Sequence, residues 1–235
     1  MMLTEEEQRT FRARQETAVS FDALQATTVS VIGCGAIGSF ATYALAKLGV
    51  GSFHLYDPDT VDAENVGCQL FSTQNIDESK VDALKHYIID DAGVTPRNVY
   101  AYEWPVTADT RLPAADVTLA CVDSLAARRQ VWQVYRRMAQ NNTNPSILID
   151  ARMGLEILHL FTISLLDQLA VNEYCKSLEG EELELPCSAR SIVYCPQIAG
   201  GFIAHAVKRF IGGDLNSHEM ILDIAEQKLY KLDRR

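Results

Sequence analysis

The sequence has no apolar run of the eighteen or so residues that a membrane span needs. It has no C-x-x-C pair, no internal repeat, no low-complexity tract and no linker. The first absence argues against a membrane partner. The second argues against paired-cysteine metal sites. The others leave one continuous domain over residues 1–235. Six cysteines stand at 34, 68, 121, 175, 187 and 195. The chain opens on MMLTEEEQRTFRARQE, charged and helical in character, so no secretory signal is expected. A disulfide framework is then not expected either, and reduced thiols in the cytoplasm are the expected state. Basic residues are scarce: 21 Lys and Arg stand against 31 Asp and Glu, a net charge of −10. That argues against a nucleic-acid partner, because a phosphate backbone needs a basic surface. It leaves room for a nucleotide, which needs only a local positive pocket. With 48% hydrophobic residues in a 235-residue chain, a sizeable core is expected.

What is present is concentrated in residues 28–56, TVSVIGCGAIGSFATYALAKLGVGSFHLY. Val29 to Ile32 is a short β-branched run and reads as a buried strand. Gly33, Gly35 and Gly38 then give G-x-G-x-x-G, and a helix follows to Leu48. Gly49 and Gly51 stop it, and Ser52 to Tyr56 begins a second strand. In such a unit the first glycine permits a tight turn, the second lets backbone approach a phosphate, and the third lets helix pack on strand. Free N–H groups at the helix start face the anion. Asp57 lies nineteen positions beyond Gly38, where a carboxylate meets a ribose hydroxyl.

Elsewhere the pattern alternates. Residues 1–27 form an N-terminal helical arm, with a helix over 4–17 carrying Arg9, Arg12 and Arg14. A polar loop after the second strand holds Asn65 and Gln69, and a helix begins near Lys80. Asn98 to Glu103 and Ala115 to Val122 read as strands. The second ends at Asp123, a carboxylate at a strand tip that also suits a helix N-cap. Ser124 to Met138 is a helix, and Ser146 to Asp150 another strand. These elements define an α/β, Rossmann-like doubly wound sheet, with residues 28–150 as the nucleotide-binding half. In 151–235 antiparallel strands are expected, starting with Ile157 to Ser164. A small-residue-rich helix over Ile198 to Ile211 suits a subunit interface. The tail, His218 to Lys231, reads as a strand and a short helix.

GCGAIGS, then LYDPDTVDAENVGCQ, then a lysine, then CVDSLAAR, resembles the ubiquitin-activating-like superfamily of MoeB, ThiF and HesA adenylyltransferases. The resemblance runs from about residue 5 to 211. It implies a homodimer that uses ATP and magnesium to adenylate the C-terminal glycine of a ubiquitin-fold carrier ending in Gly-Gly. Gly33, Gly35 and Gly38 match the phosphate loop and Asp57 the ribose acid. Asn65 and Gln69 match the family's N-x-x-R-Q segment, and Lys80 matches the lysine on the phosphates. Asp123 matches the acid that organises magnesium. Arg14 resembles the arginine that reaches into the partner's site, with Arg12 as a substitute. The implied chemistry needs no general base, because the attacking carboxylate is already ionised. Orientation and charge neutralisation carry the rate.

Two departures stand out. Cys68 replaces the arginine of N-x-x-R-Q, and losing one such contact costs on the order of 10² to 10³ in rate. Arg12, Arg14 or Arg128 compensates, or the chain is a weakened, regulatory member. The C-x-x-C pairs that bind zinc in many relatives are missing, so no structural zinc is expected. Cys187, after Pro186, resembles the cysteine that accepts the carboxyl in some relatives. An unreactive loop thiol is the alternative. An adenylating dehydratase acting on a small carboxylate shares the same first step. A dehydrogenase using NAD shares the glycine loop and Asp57, but does not explain Asn65, Lys80 and Asp123 in this order.

Overall fold

A computed structural model describes residues 4–179 and 192–231. The strands are β1 (Thr28–Ile32), β2 (Ser52–Tyr56), β3 (Val99–Tyr102), β4 (Val117–Ala120), β5 (Ile147–Gly154), β6 (Ile157–Ser164), β7 (His218–Asp223) and β8 (Lys228–Lys231). The helices are α1 (Glu5–Arg12), α2 (Phe21–Ala26), α3 (Ala36–Leu48), α4 (Ala63–Val66), α5 (Lys80–Asp90), α6 (Leu125–Gln140), α7 (Gln168–Ser177) and α8 (Tyr194–Ile211). Among the described residues one sheet of eight strands runs β3-β2-β1-β4-β5-β6-β7-β8. Neighbours from β3 to β5 are parallel. Neighbours from β5 to β8 are antiparallel.

The change of direction has a local cause. Gly154 pairs directly with Ile157, and the tight turn between them holds Leu155 at φ 55°. A turn this short can only fold a strand back beside itself. In the parallel half the chain order reverses between β1 and β4, which opens a crevice at the carboxyl ends of the strands.

Strand side chains alternate between two apolar layers, as a period of two requires. Val29, Val31, Phe53 and Leu55 join Leu45 of α3, Leu84 of α5 and Ile203 of α8 in one layer. Ile32, Tyr56 and Phe161 join Trp132 and Tyr135 of α6 and Tyr174 of α7 in the other. The central strands are thus covered on both faces, the arrangement expected of parallel strands.

Two sequence readings need correction. The arm is not one helix over 4–17: α1 ends at Arg12, and α2 is separate. The tail holds no short helix. It is the β7–β8 hairpin, in which Met220 to Asp223 pair with Lys228 to Lys231. One small residue of α8 has a task within this chain: a Cβ on Gly200 would lie 3.0 Å from the backbone of Phe40 in α3. A small residue there permits close packing of two helices within one copy.

Candidate nucleotide site

The crevice is floored by the turn between β1 and α3. Gly33 has φ 91°, and a Cβ there would lie 2.6 Å from the Cys121 carbonyl. A Cβ on Gly38 would lie 1.9 Å from the Gly33 carbonyl. Both positions are therefore closed to other residues, one by backbone conformation and one by packing. Gly35 differs. It starts α3 with no side-chain cap, and the nearest atom to a Cβ there is Gln69 Nε2 at 3.9 Å. The helix thus presents its first N–H groups, and their partial positive charge, to open space.

Asp57 ties this turn to β2. The Cys34 N–H donates to its Oδ2 at 2.7 Å and the Asp59 N–H to its Oδ1 at 2.9 Å. Burial pushes its carboxyl above the usual range, against those two N–H donors and Lys80. Lys80 opens α5 and is itself buried. Its Nζ meets the exposed Asp59 Oδ2 at 2.8 Å. Its charge also acts on Asp57, Cys34 and Cys68, so it sits among them. Cys34 is fully buried, and desolvation and the Asp57 charge hold its thiol well above the normal range. Burial pushes Cys121 up to about 12. A raised thiol stays protonated, the less reactive form.

Asn65 Oδ1 accepts the Asp62 N–H at 3.1 Å, which shapes α4. The Gln69 N–H donates to the Asn65 carbonyl at 2.8 Å. Gln69 Oε1 is buried with no partner. A buried amide oxygen left without a donor beside an open glycine costs free energy unless something binds there. A nucleotide fits: the amide can turn either its acceptor to a sugar hydroxyl or its donor to a phosphate.

Asp123 is exposed at the tip of β4. It does not cap α6. Ser124 does, its Oγ accepting the Ala127 N–H at 3.1 Å. The Asp123 carboxylate is therefore not spent on the helix. Among the described residues no group of three or more His, Cys, Asp and Glu is placed to hold a metal ion. A divalent cation here would take most of its ligands from phosphate oxygens, with one carboxylate from the chain, a pattern that suits magnesium.

The fold brings Gly33, Gly35, Gly38, Asp57, Gln69 and Lys80 together, with Asp123 beyond the neighbouring strand. It does not bring Arg14 to them within one copy. Arg14 is exposed in the turn after α1, beside Gln15, whose Nε2 donates to the Lys47 carbonyl at 3.2 Å. Lys47 lies at the far end of α3 from the glycine turn, roughly 17 Å away at 1.5 Å per residue. Arg12 is excluded as a substitute: it is buried, and its Nη2 donates to the Ala46 and Ala92 carbonyls at 3.2 and 2.8 Å. Arg128 is likewise buried, and ion-paired with Asp150, so it does not replace the arginine missing at position 68. Cys187 lies outside the described residues. Sequence reasoning passed over Asp59, the partner of Lys80, although the D-P-D spacing signalled it. It also passed over Asp150, a carboxylate inside an apolar strand.

A Rossmann-like sheet with an uncapped glycine turn, a carboxylate at the end of the next strand and a buried lysine is an arrangement suited to a nucleotide. A family model described as the ThiF family matches residues 8–147. The chain belongs to the ThiF family. It is 42% identical over 82 residues to the tRNA threonylcarbamoyladenosine dehydratase of Bacillus subtilis (strain 168), covering 33% of this chain and 32% of that protein. It is 30% identical over 114 residues to the molybdopterin-synthase adenylyltransferase of Escherichia coli (strain K12), covering 47% and 45%. Its fold is similar to the crystal structure of PaaA, with a TM-score of 0.74 and 16% identity over 98% of this chain and 84% of that one. The chain spans about a third to less than half of the length of these two curated relatives.

Proposed function

We propose that the chain, as a single adenylation domain, activates the C-terminal glycine carboxylate of a ubiquitin-fold or sulfur-carrier protein with ATP. The observation that carries this reading is the open, uncapped glycine turn flanked by Lys80 and the unspent Asp123. In the proposed reaction a carboxylate oxygen attacks the α-phosphorus. The new O–P bond forms as the bond to pyrophosphate breaks, and no proton moves. Lys80 leaves Asp59 for the phosphates, the start of α3 donates N–H groups to them, and Asp57 orients the ribose. Magnesium, when bound, neutralises phosphate charge, and Asp123 would hold it. Arg14 stands at the wrong end of α3 for its own site, which supports a homodimer in which each copy lends it to the other. A later transfer would join the carboxyl carbon to the Cys187 sulfur as the thiolate, the carbon–oxygen bond to AMP breaking as AMP leaves. The proposed setting is cytoplasmic. No helix among the described residues is long and apolar enough to cross a membrane.

The test is exchange of labelled pyrophosphate into ATP with purified carriers ending in Gly-Gly. Exchange that requires the carrier supports the reading, and binding of ATP with no exchange for any carrier counts against it. The identity shared with the tRNA-modifying dehydratase favours a second reading, adenylation of a small carboxylate followed by loss of water. Exchange that depends on such a carboxylate and not on a carrier would select it. The Cys68→Arg variant bears on both readings. About a tenfold or larger gain in exchange identifies a weakened enzyme, and no gain identifies a nucleotide binder.

A further inference from the structure

Behind the tip of β4 lies a buried ionic cluster to which the adenylation reading gives no task. Asp150 is fully buried on β5. Its Oδ1 takes the Arg128 guanidinium. Its Oδ2 accepts from Arg152 Nε at 2.9 Å and from the Tyr174 hydroxyl at 3.0 Å. Arg128 Nη1 also reaches the Ala120 and Ala151 carbonyls at 3.4 and 3.3 Å, and its Nη2 donates to the Val122 carbonyl. The donors thus end on the last residues of β4 and on β5. As stabilisation this is a poor bargain, because apolar residues of similar size hold a core as well without desolvating charge. Its distinctive product is a fixed backbone.

That backbone carries Asp123. The carbonyl just before it, of Val122, is held by Arg128. The residue just after it, Ser124, caps α6, and the Arg128 N–H closes the same turn on the Ser124 carbonyl at 3.0 Å. One arginine therefore braces the chain on both sides of an exposed carboxylate. We propose that Arg128 is a positioning residue for Asp123, fixing through the Val122 carbonyl where that carboxylate meets a magnesium-bound nucleotide. This inference rests on the adenylation reading. A group that orients a metal ligand through a neighbour commonly governs metal affinity by 10- to 100-fold, on the order of magnitude seen for such outer partners.

The experiment is calorimetric titration of ATP, with magnesium and with EDTA, into wild type, Arg128→Lys, Asp123→Asn and the double variant. Wild type and Arg128→Lys should bind ATP equally in EDTA. The gain in affinity on adding magnesium should fall about tenfold in Arg128→Lys. It should fall no further in the double variant than in Asp123→Asn alone, because coupled residues are not additive. Additive losses, or equal losses with and without magnesium, mark a merely structural role and overturn the proposal while the adenylation reading stands. ATP binding with no magnesium-dependent gain in wild type overturns the assignment of both Asp123 and Arg128. If Arg128→Lys does not fold, Asp150→Asn replaces it, and additivity with Asp123→Asn overturns the proposal in the same way.

Discussion

The two ends of α3 are built from opposite solutions to one problem. Each end of a helix exposes backbone groups without helical partners. At the C-terminal end they are answered: Arg12 donates to Ala46 of α3 and to Ala92 just beyond α5, and Gln15 donates to Lys47. A cation at two helix C-termini also suits both dipoles. At the N-terminal end no side chain caps the helix, and Gln69 Oε1 beside it is buried and unanswered. The end that is satisfied by its own chain is structural. The end left open is the one that the proposed nucleotide would complete.

Substitutions should separate the two ends. Lys80→Ala should have the largest effect, a loss of pyrophosphate exchange on the order of 10² to 10³, with little change in melting temperature. The partner it leaves, Asp59, is 63% exposed and is resolvated by water. A large drop in melting temperature would instead mark the lysine as structural and blur the contrast. Arg12→Met should do the reverse. It should cost about 2 kcal/mol of stability for the lost charge-assisted bonds, read by urea denaturation, with ATP affinity unchanged. A matching loss of affinity would break the comparison. Gln69→Met should be smaller: ATP affinity down about fivefold, or ~1 kcal/mol, with stability unchanged or higher, because an unsatisfied buried oxygen is removed.

The smallest effect is a pH dependence. Burial raises the Asp57 carboxyl, so the folded chain holds that proton more tightly than the unfolded chain. Its contribution to stability is complete below the unfolded carboxyl's value and is lost as pH rises through the raised folded value. Ribose binding needs the ionised form, so nucleotide affinity should rise over the same window, just above the ordinary carboxylate range. Measured as the difference between wild type and Asp57→Asn, the two trends should run in opposite directions. Parallel trends would remove Asp57 from the site.

The open end was readable from sequence because its signals are local. Gly33, Gly35 and Gly38 follow a β-branched strand within a few residues, and Asp57 ends the next strand. The closed end was not, because Arg12 finds its acceptors 34 and 80 positions away. An arginine on a charged helix carries no mark of such distant partners. The same holds for Arg128, whose spacing suits a solvated helix face until Asp150 is placed beneath it. The tail was misread for a different reason. Residues 218–231 are not buried, so weak local preference had to be judged without a clear apolar period. Pairing with β6 decided the outcome.

The outermost described strand, β8, begins and ends on lysine and has all four residues exposed. A rim of free amide and carbonyl groups invites another strand to zip onto it, and like charges at both corners repel an identical rim. Copies of this chain should therefore not extend their sheets through that border, which leaves the β3 edge, the helical layers and the crevice side for any association between them.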